Sequence, residues 1–422
     1  MMEKETLRQI VAQQRGETVL PAGTVRREVL DGILASLNDK RILILTGMRR
    51  SGKSTILKQI MQHTSSYCYV SFEDERFIDF EAKEFEQLNE VLVEFYGDPK
   101  VYFFDEIQNI DKFETFVRRL QDQGRKVIIT GSNASLLSKE LGTRLTGRYK
   151  PFEVYPFTFG EYLTFRGEEP KREEVYVTEH KVRILRHFEK YLSEGGLPEY
   201  LKTGDNDYVR TVYENILYRD IIARYAIRKQ RAVKELANIL ATNIASEFSY
   251  NSLKKTLGLS NTVTVKEYIS HFDDSYLFFE LQRFDFSIRR QLALPKKIYA
   301  VDPAFSRLLG LNFSANKGRV LEDIVFIQMK RTGRDVYYYS GKNECDFVVR
   351  EGTKVNHAVQ VCYALNEKNR GREIDGLVEA MKAFGLKKGT ILTFEQETEL
   401  AESGRTIRVI PAWKWLLGFA DL

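Results

Sequence analysis

Four side chains in this 422-residue sequence, Lys53, Ser54, Asp105 and Glu106, have types and spacings suited to phosphate chemistry. The first two close the run RILILTGMRRSGKST, residues 41–55, in which an apolar stretch leads into a glycine-bounded loop. Gly47 and Gly52 let such a loop turn tightly and leave no Cβ where consecutive backbone N–H groups must converge on phosphate oxygens. Lys53 adds a compact cation, and Ser54 offers its hydroxyl to a Mg²⁺ that bridges two phosphates. The helix that opens here points its positive end at the same anion. The expected nucleotide contacts are therefore Gly47, Arg50, Ser51, Gly52, Lys53, Ser54 and Thr55, with Ser54 also a metal ligand.

About fifty residues downstream, VYFFDEIQNI ends an apolar run in Asp105–Glu106. An aspartate at the carboxyl end of a strand reaches the Mg²⁺ shell through water, and Glu106 is then placed to polarise the attacking water. An Asp-Glu pair alone could simply cap a helix. Its coupling to the phosphate loop favours catalysis. The next apolar run, KVIITGSNASLL, brings Ser132 and Asn133 to the same edge; Asn133 either senses the γ-phosphate or caps the following helix. Arg144 and Arg148, in TRLTGRYK, are candidates for an arginine finger that completes a neighbouring subunit's site, and equally for ordinary exposed arginines.

These residues need a scaffold. Ile42–Leu45 read as a buried strand, followed at α/β spacing by Tyr67–Phe72, Val101–Phe104, Val127–Thr130 and Tyr149–Tyr155, with helical stretches between. That order predicts a P-loop domain with a parallel sheet. Two helical stretches precede it, the second carrying Val29, Leu30, Ile33, Leu34 and Leu37, and both are expected beside the nucleotide.

Together GMRRSGKST, VYFFDEIQ, TGSNASLL and TGRYKPFEVYPFTFGEYL resemble a widespread prokaryotic group of AAA-like P-loop ATPases, in which the ATPase domain is joined to a C-terminal domain of unknown function. The likeness extends over nearly the whole chain and is to the additional-strand, catalytic-glutamate division. It implies that the Thr130 strand separates the Asp105 strand from the P-loop strand. It also implies that Lys53, Ser54, Asp105, Glu106 and Asn133 occupy nucleotide-site positions, and it favours ATP over GTP, as does the lack of an N/TKxD-like motif.

Beyond the sheet, EGGLPEYL reads as a helix stop and linker around Gly195, Gly196 and Pro198. The following segment carries Arg219, Arg224, Arg228, Lys229 and Arg231, suited either to a phosphate backbone or to a solvated helix face. Residues 232 to about 300 have a winged-helix rhythm: three helices and a two-strand ribbon. As a DNA reader this domain would present Thr262, Thr264 and Lys266 to bases, and Arg283, Arg289, Arg290, Lys296 and Lys297 to phosphates. Glu267, Asp273 and Asp274 oppose that reading, and a protein-interaction role carries equal weight.

From about Gly318 the order α-β-β-β-α-β resembles the PD-(D/E)XK nuclease core. Glu322 matches its helix acid and Asp346 its strand acid. The third strand, however, reads Gln360-Val361-Cys362. A cysteine supplies no ammonium and glutamine is a weaker Mg²⁺ ligand than a carboxylate, so nuclease activity is not expected.

Whole-chain properties bound the rest. A net charge of +5 neither requires nor excludes nucleic acid. Three cysteines and five histidines form no metal-binding pattern and suit a reducing, cytoplasmic setting. No apolar run reaches membrane-spanning length. The expected architecture is α/β: an ATPase domain with N-terminal helices over 1–200, a helical linker and winged helix over 201–315, and a nuclease-like domain over 316–422. The expected activity is Mg²⁺-dependent ATP binding and hydrolysis coupled to movement of the later modules, with ATP and ADP as ligands. DNA, a second copy or a protein are candidate partners. A nucleotide-gated DNA-binding or scaffold protein with negligible turnover is the alternative, and an ATP-regulated nuclease a third.

Overall fold

A computed structural model describes residues 2–133, 145, 147–310 and 317–422. Arg144 lies outside the described residues. The chain divides into two compact units, Met1–Tyr155 and Pro156–Leu422, so the boundaries expected near residues 200 and 315 both fall inside the second.

In the first unit, β1 (Ile42–Gly47), β2 (Tyr67–Ser71), β3 (Val101–Asp105), β4 (Lys126–Gly131) and β5 (Tyr149–Val154) form a parallel sheet ordered β2-β3-β4-β1-β5. β4 thus lies between β3 and β1. The strands are almost continuously apolar because helices cover both faces. Ile42, Ile44, Val70, Phe104 and Ile129 face a core shared with α1 (Lys4–Gly16), α4 (Phe85–Tyr96) and α5 (Phe113–Asp122). Their neighbours Leu43, Leu45, Phe103 and Ile128 pack on α2 (Val29–Leu34) and α3 (Lys53–Met61). Parallel pairing puts every carboxyl-terminal strand end on one edge, where the loops after β1, β3 and β4 emerge.

The two N-terminal helices separate. α2 packs against α3, whereas α1 packs on α4. Gln14 of α1 also exchanges hydrogen bonds of 3.0 and 2.9 Å with the Ser71 backbone. α1 therefore closes the β2 edge of the sheet and does not flank the phosphate loop.

The second unit starts with helices, Phe159–Phe165, Thr178–Glu194, Pro198–Thr203 and Asn206–Asn215, and a π-helical stretch, Ile216–Ala223. Helices Gln230–Thr242, Tyr250–Thr256 and Thr262–Asp274 follow, with β6 (Glu247–Phe248), β7 (Phe278–Gln282) and β8 (Lys296–Ala300) as a small antiparallel sheet ordered β6-β8-β7. The expected two-strand ribbon thus gains a third strand, and a short helix, Ile288–Ala293, interrupts its connection.

Helix Lys317–Arg331 then leads into β9 (Asp335–Ser340), β10 (Glu344–Glu351), β11 (Lys354–Val361), helix Arg370–Ala383, β12 (Lys388–Thr393), β13 (Thr398–Glu402) and β14 (Arg405–Pro411). These strands form a mixed sheet ordered β13-β14-β12-β11-β10-β9.

The Gly195–Gly196 turn is not a linker but part of this unit's core. A Cβ on Gly196 would stand 2.3 Å from the Phe157 carbonyl oxygen, and the Asp302 carboxylate accepts the Gly196 N–H at 2.6 Å and that of Ala304 at 2.9 Å. Burial raises the Asp302 pKa to about 6 despite those hydrogen bonds. Because the folded pKa lies above that of the unfolded chain, the contribution of Asp302 is full below about pH 4 and declines as pH rises through 6. The stability advantage of wild type over Asp302→Asn should therefore shrink by up to about 3 kcal/mol between pH 4 and 7, read from urea unfolding of the full chain.

Candidate active site

The loop after β1 is shaped by close backbone approach. A Cβ on Gly47 would meet the Val154 carbonyl oxygen of β5 at 2.0 Å, and Gly47 and Gly52 have φ of 152° and 98°. Arg50, at φ 66°, takes a left-handed conformation that few non-glycine residues adopt. Arg27 braces the loop from outside the motif, donating to the Ser51 carbonyl at 2.8 Å and the Tyr155 carbonyl at 2.6 Å.

Lys53, almost wholly buried, donates to the carbonyls of Gly47 at 3.1 Å and Met48 at 3.2 Å. Its ammonium also pairs with Glu106 Oε1 at 3.4 Å. The loop and the acids after β3 therefore share one sheet edge. Asp105 accepts hydrogen bonds from Thr130 on one oxygen and from Tyr69, at 3.3 Å, on the other. The Glu106 N–H donates to Thr130 Oγ1 at 2.9 Å, so one hydroxyl fixes both members of the acidic pair. Glu106 itself sits at φ 50°, and Gln108 donates to its Oε2.

The two adjacent acids are driven apart electrostatically. Burial pushes Asp105 above the ordinary carboxylate range, reinforced by the neighbouring charge of Glu106 and opposed by Ser54, Thr130 and Lys53. Burial acts on Glu106 in the same direction, but the Lys53 ammonium, with Gln108, Arg49 and Ser132, outweighs it and holds this carboxyl below its ordinary value. Glu106 is thus kept ionised, as a base must be.

The residues fit a nucleotide with Mg²⁺. Ser51 Oγ is buried without a hydrogen-bond partner among the described residues, in a loop whose backbone is bent for an anion. Ser54 and Asp105 are hard oxygen donors of the kind Mg²⁺ takes. Magnesium, when bound, neutralises charge developing on the phosphate oxygens. Lys53 can then turn from its own loop carbonyls to phosphate, and Glu106 can polarise a water.

Asn133, at the end of β4, is fully buried at this same edge, next to buried Ser132. Arg148 is elsewhere. It pairs with Asp122, and its carbonyl accepts from Ile42 N at the amino-terminal end of β1. That is the sheet end opposite the loop, so Arg148 is not part of its own chain's site.

Sequence reading overlooked Arg27, Gln108 and Thr130. Only Thr130 carried a signal, as a polar residue inside an apolar strand. Thr130→Val should cost about 1 to 3 kcal/mol by stranding the Glu106 N–H and Asp105. It should also slow phosphate release, whereas Thr130→Ser restores both; thermal melts and single-turnover assays check this.

The basic residues expected on the ribbon are largely engaged internally. Arg283 donates to the Ser340 carbonyl, while Lys296 and Lys297 are buried. Lys296 donates to the carbonyls of Leu292 at 2.7 Å and Leu294 at 2.6 Å. Lys297 instead reaches Glu322 at 2.9 Å and Asp346 at 3.0 Å, supplying an ammonium where the sequence Gln360-Val361-Cys362 provides none. Arg219, Arg224, Arg228, Lys229 and Arg231 remain exposed.

Among the described residues no helix is long and apolar enough to cross a membrane. A family model described as an AAA domain matches residues 39–163, and one described as a domain of unknown function (DUF8612) matches residues 185–315. Uncharacterized protein MJ1544 of Methanocaldococcus jannaschii is 33% identical, covering 99% of this chain and 97% of its own. An uncharacterized protein of Haemophilus influenzae is 27% identical over 93% of this chain and 98% of its own. Among solved structures, that of the Aeropyrum pernix ORC1 protein in complex with DNA covers 70% of this chain and 95% of its own, at 12% identity and a TM-score of 0.28, too distant to carry an argument. With a third of positions shared over the length of MJ1544, and with an AAA domain around the phosphate loop, the chain belongs to a family of AAA-domain P-loop ATPases.

Proposed function

We propose that the protein binds ATP with Mg²⁺ and hydrolyses it, and that nucleotide state changes the disposition of the second unit. The observation that carries this is the 3.4 Å pairing of Lys53 with Glu106, which joins the phosphate loop to the acidic pair at the end of β3. Lys53 and the Gly47–Gly52 loop hold phosphate, with Arg50, Ser51 and Thr55 beside it. Ser54 and Asp105 hold the metal, Glu106 activates water, and Asn133 senses the γ-phosphate. Arg148 or Arg144 serves as a finger on the nucleotide of another subunit. The second unit is read as a winged helix followed by a PD-(D/E)XK-like sheet, on the strength of its element order.

A gated reading has one observation behind it: both Glu106 oxygens are engaged, Oε1 by Lys53 and Oε2 by Gln108. On that reading turnover stays low until a partner frees the carboxylate. Double-stranded or single-stranded DNA is one such partner, through the exposed cations between Arg219 and Arg231. Phosphate release by the full chain with Mg²⁺ and ATP, with and without DNA at two salt concentrations, tests both readings. Metal-dependent release supports hydrolysis, and stimulation that fades with salt supports DNA contacts to the phosphate backbone. No release under any of these conditions contradicts the proposal.

A further inference from the structure

Arg49 is the second residue after β1 and Glu73 the second after β2, and Arg49 Nη1 lies 3.5 Å from Glu73 Oε1. Those two strands are not neighbours. With the order β2-β3-β4-β1, their ends stand three strand spacings apart, roughly 14 Å, with β3 and β4 between them. The pair is therefore strung across the ends of β3 and β4, the edge that carries Asp105, Glu106, Ser132 and Asn133. Glu106 feels it: the Arg49 charge is among those that hold this carboxyl ionised.

A tight turn aims this side chain over the edge. The Ser51 N–H donates to the Met48 carbonyl at 3.2 Å, which makes Arg49 and Arg50 the two central residues of a four-residue turn. Arg50, in the second central position with its φ of 66°, is exposed to solvent, whereas the Arg49 side chain is only 13% exposed. Its carboxylate partner holds it loosely. The Glu73 side chain is 50% exposed and the contact is long, so water competes with the pairing and little is lost when it opens. A terminal phosphate carries more charge than one carboxylate and presents oxygens that a guanidinium fork takes two at a time. A largely buried arginine at a phosphate-binding edge is thus paired with a partner that a phosphate outcompetes.

We propose that Arg49 leaves Glu73 for the terminal phosphate of ATP and serves, from the chain's own phosphate loop, as a guanidinium contact to that group. This rests on the reading of the edge as an ATP site and adds to it a cation within the same chain, independent of any arginine from another subunit. Glu73 is the holder of the nucleotide-free arrangement, keeping the guanidinium above the acids until phosphate arrives. ADP lacks the terminal group, so with ADP Arg49 stays on Glu73. The ends of β1 and β2 are then linked by this pair in the ADP state and unlinked in the ATP state.

The test reads binding rather than turnover: dissociation constants of the full-length protein for ADP and for the slowly hydrolysed ATPγS, each with Mg²⁺, by calorimetric titration. Arg49→Gln should weaken ATPγS about tenfold or more while changing ADP by less than about threefold. Glu73→Gln should tighten ATPγS by up to about fivefold, because Arg49 no longer has a carboxylate to leave. Opposite signs from the two members of one ion pair are a result that a merely structural contact does not give. Arg49→Lys, which keeps the charge without the fork, should show an intermediate loss confined to ATPγS. If Arg49→Gln loses ADP as well, its loop is disturbed, and Arg49→Lys and Glu73→Gln carry the test. Equal ATPγS affinity in wild type and Arg49→Gln, equal losses of ADP and ATPγS in Arg49→Lys, or weaker ATPγS binding in Glu73→Gln overturns the proposal and leaves the ATP site standing. Failure of the wild type to bind either nucleotide overturns both.

Discussion

Glu106→Gln should reduce ATP turnover by about 10² to 10⁴-fold while leaving ATP binding nearly intact. The substituted amide keeps the size of the side chain and its place beside Gln108, so the loop that holds phosphate is undisturbed. What disappears is a carboxylate kept ionised in a buried position by Lys53. The expected result is a collapse of kcat in single-turnover assays, with the dissociation constant of a fluorescent ATP analogue roughly unchanged. A variant that hydrolyses at the wild-type rate would remove Glu106 from the chemistry, and with it the gated reading, which turns on the same carboxylate.

Gly47→Ala should have the largest effect on stability in the first unit. The new methyl would need to occupy space 2.0 Å from the Val154 carbonyl oxygen, and the backbone has a φ of 152°. The obstacle is backbone rather than the flexible end of a side chain, and β1 and β5 pair along their full length from Ile42–Tyr149 to Gly47–Val154. Strain and overpacking together should cost roughly 2 to 5 kcal/mol, lowering the melting temperature of this unit by about 5 to 15 °C. Gly97→Ala is the control, because nothing lies within 4 Å of the place its methyl would take, although its φ of 74° is also positive. It shares the backbone cost without the collision, and a Gly47 variant no less stable than the Gly97 one would contradict the close-approach account.

The phosphate loop and the acidic pair were legible because each is a contiguous run whose chemistry is set by neighbours in sequence: an apolar strand, then polar groups at its carboxyl end. Their meeting at one edge follows from parallel pairing. The order of strands was not readable from periodicity; the insertion of β4 between β3 and β1 was implied only by family resemblance. Side chains that act over long sequence distances left little or no trace. Arg27 reaches Ser51 and Tyr155 from a segment with no motif, and Lys297 looks in the sequence like one more ribbon cation. Its burial depends on Glu322 and Asp346, 25 and 49 residues away.

Two misreadings have the same origin. The Gly195–Gly196 turn resembled a linker because glycine pairs end helices, but Phe157 and Asp302, far away in sequence, demand the missing side chains. β13 escaped notice because it is an edge strand, Thr398–Glu402, with alternating polar residues and little burial, paired on one side by β14.

Calorimetric titration of the full-length protein with ATP and Mg²⁺, wild type beside Lys53→Met, bears most directly on the nucleotide site. A saturable heat in the wild type that vanishes in the variant is the expected result. No heat in the wild type, or the same binding in both, would contradict it.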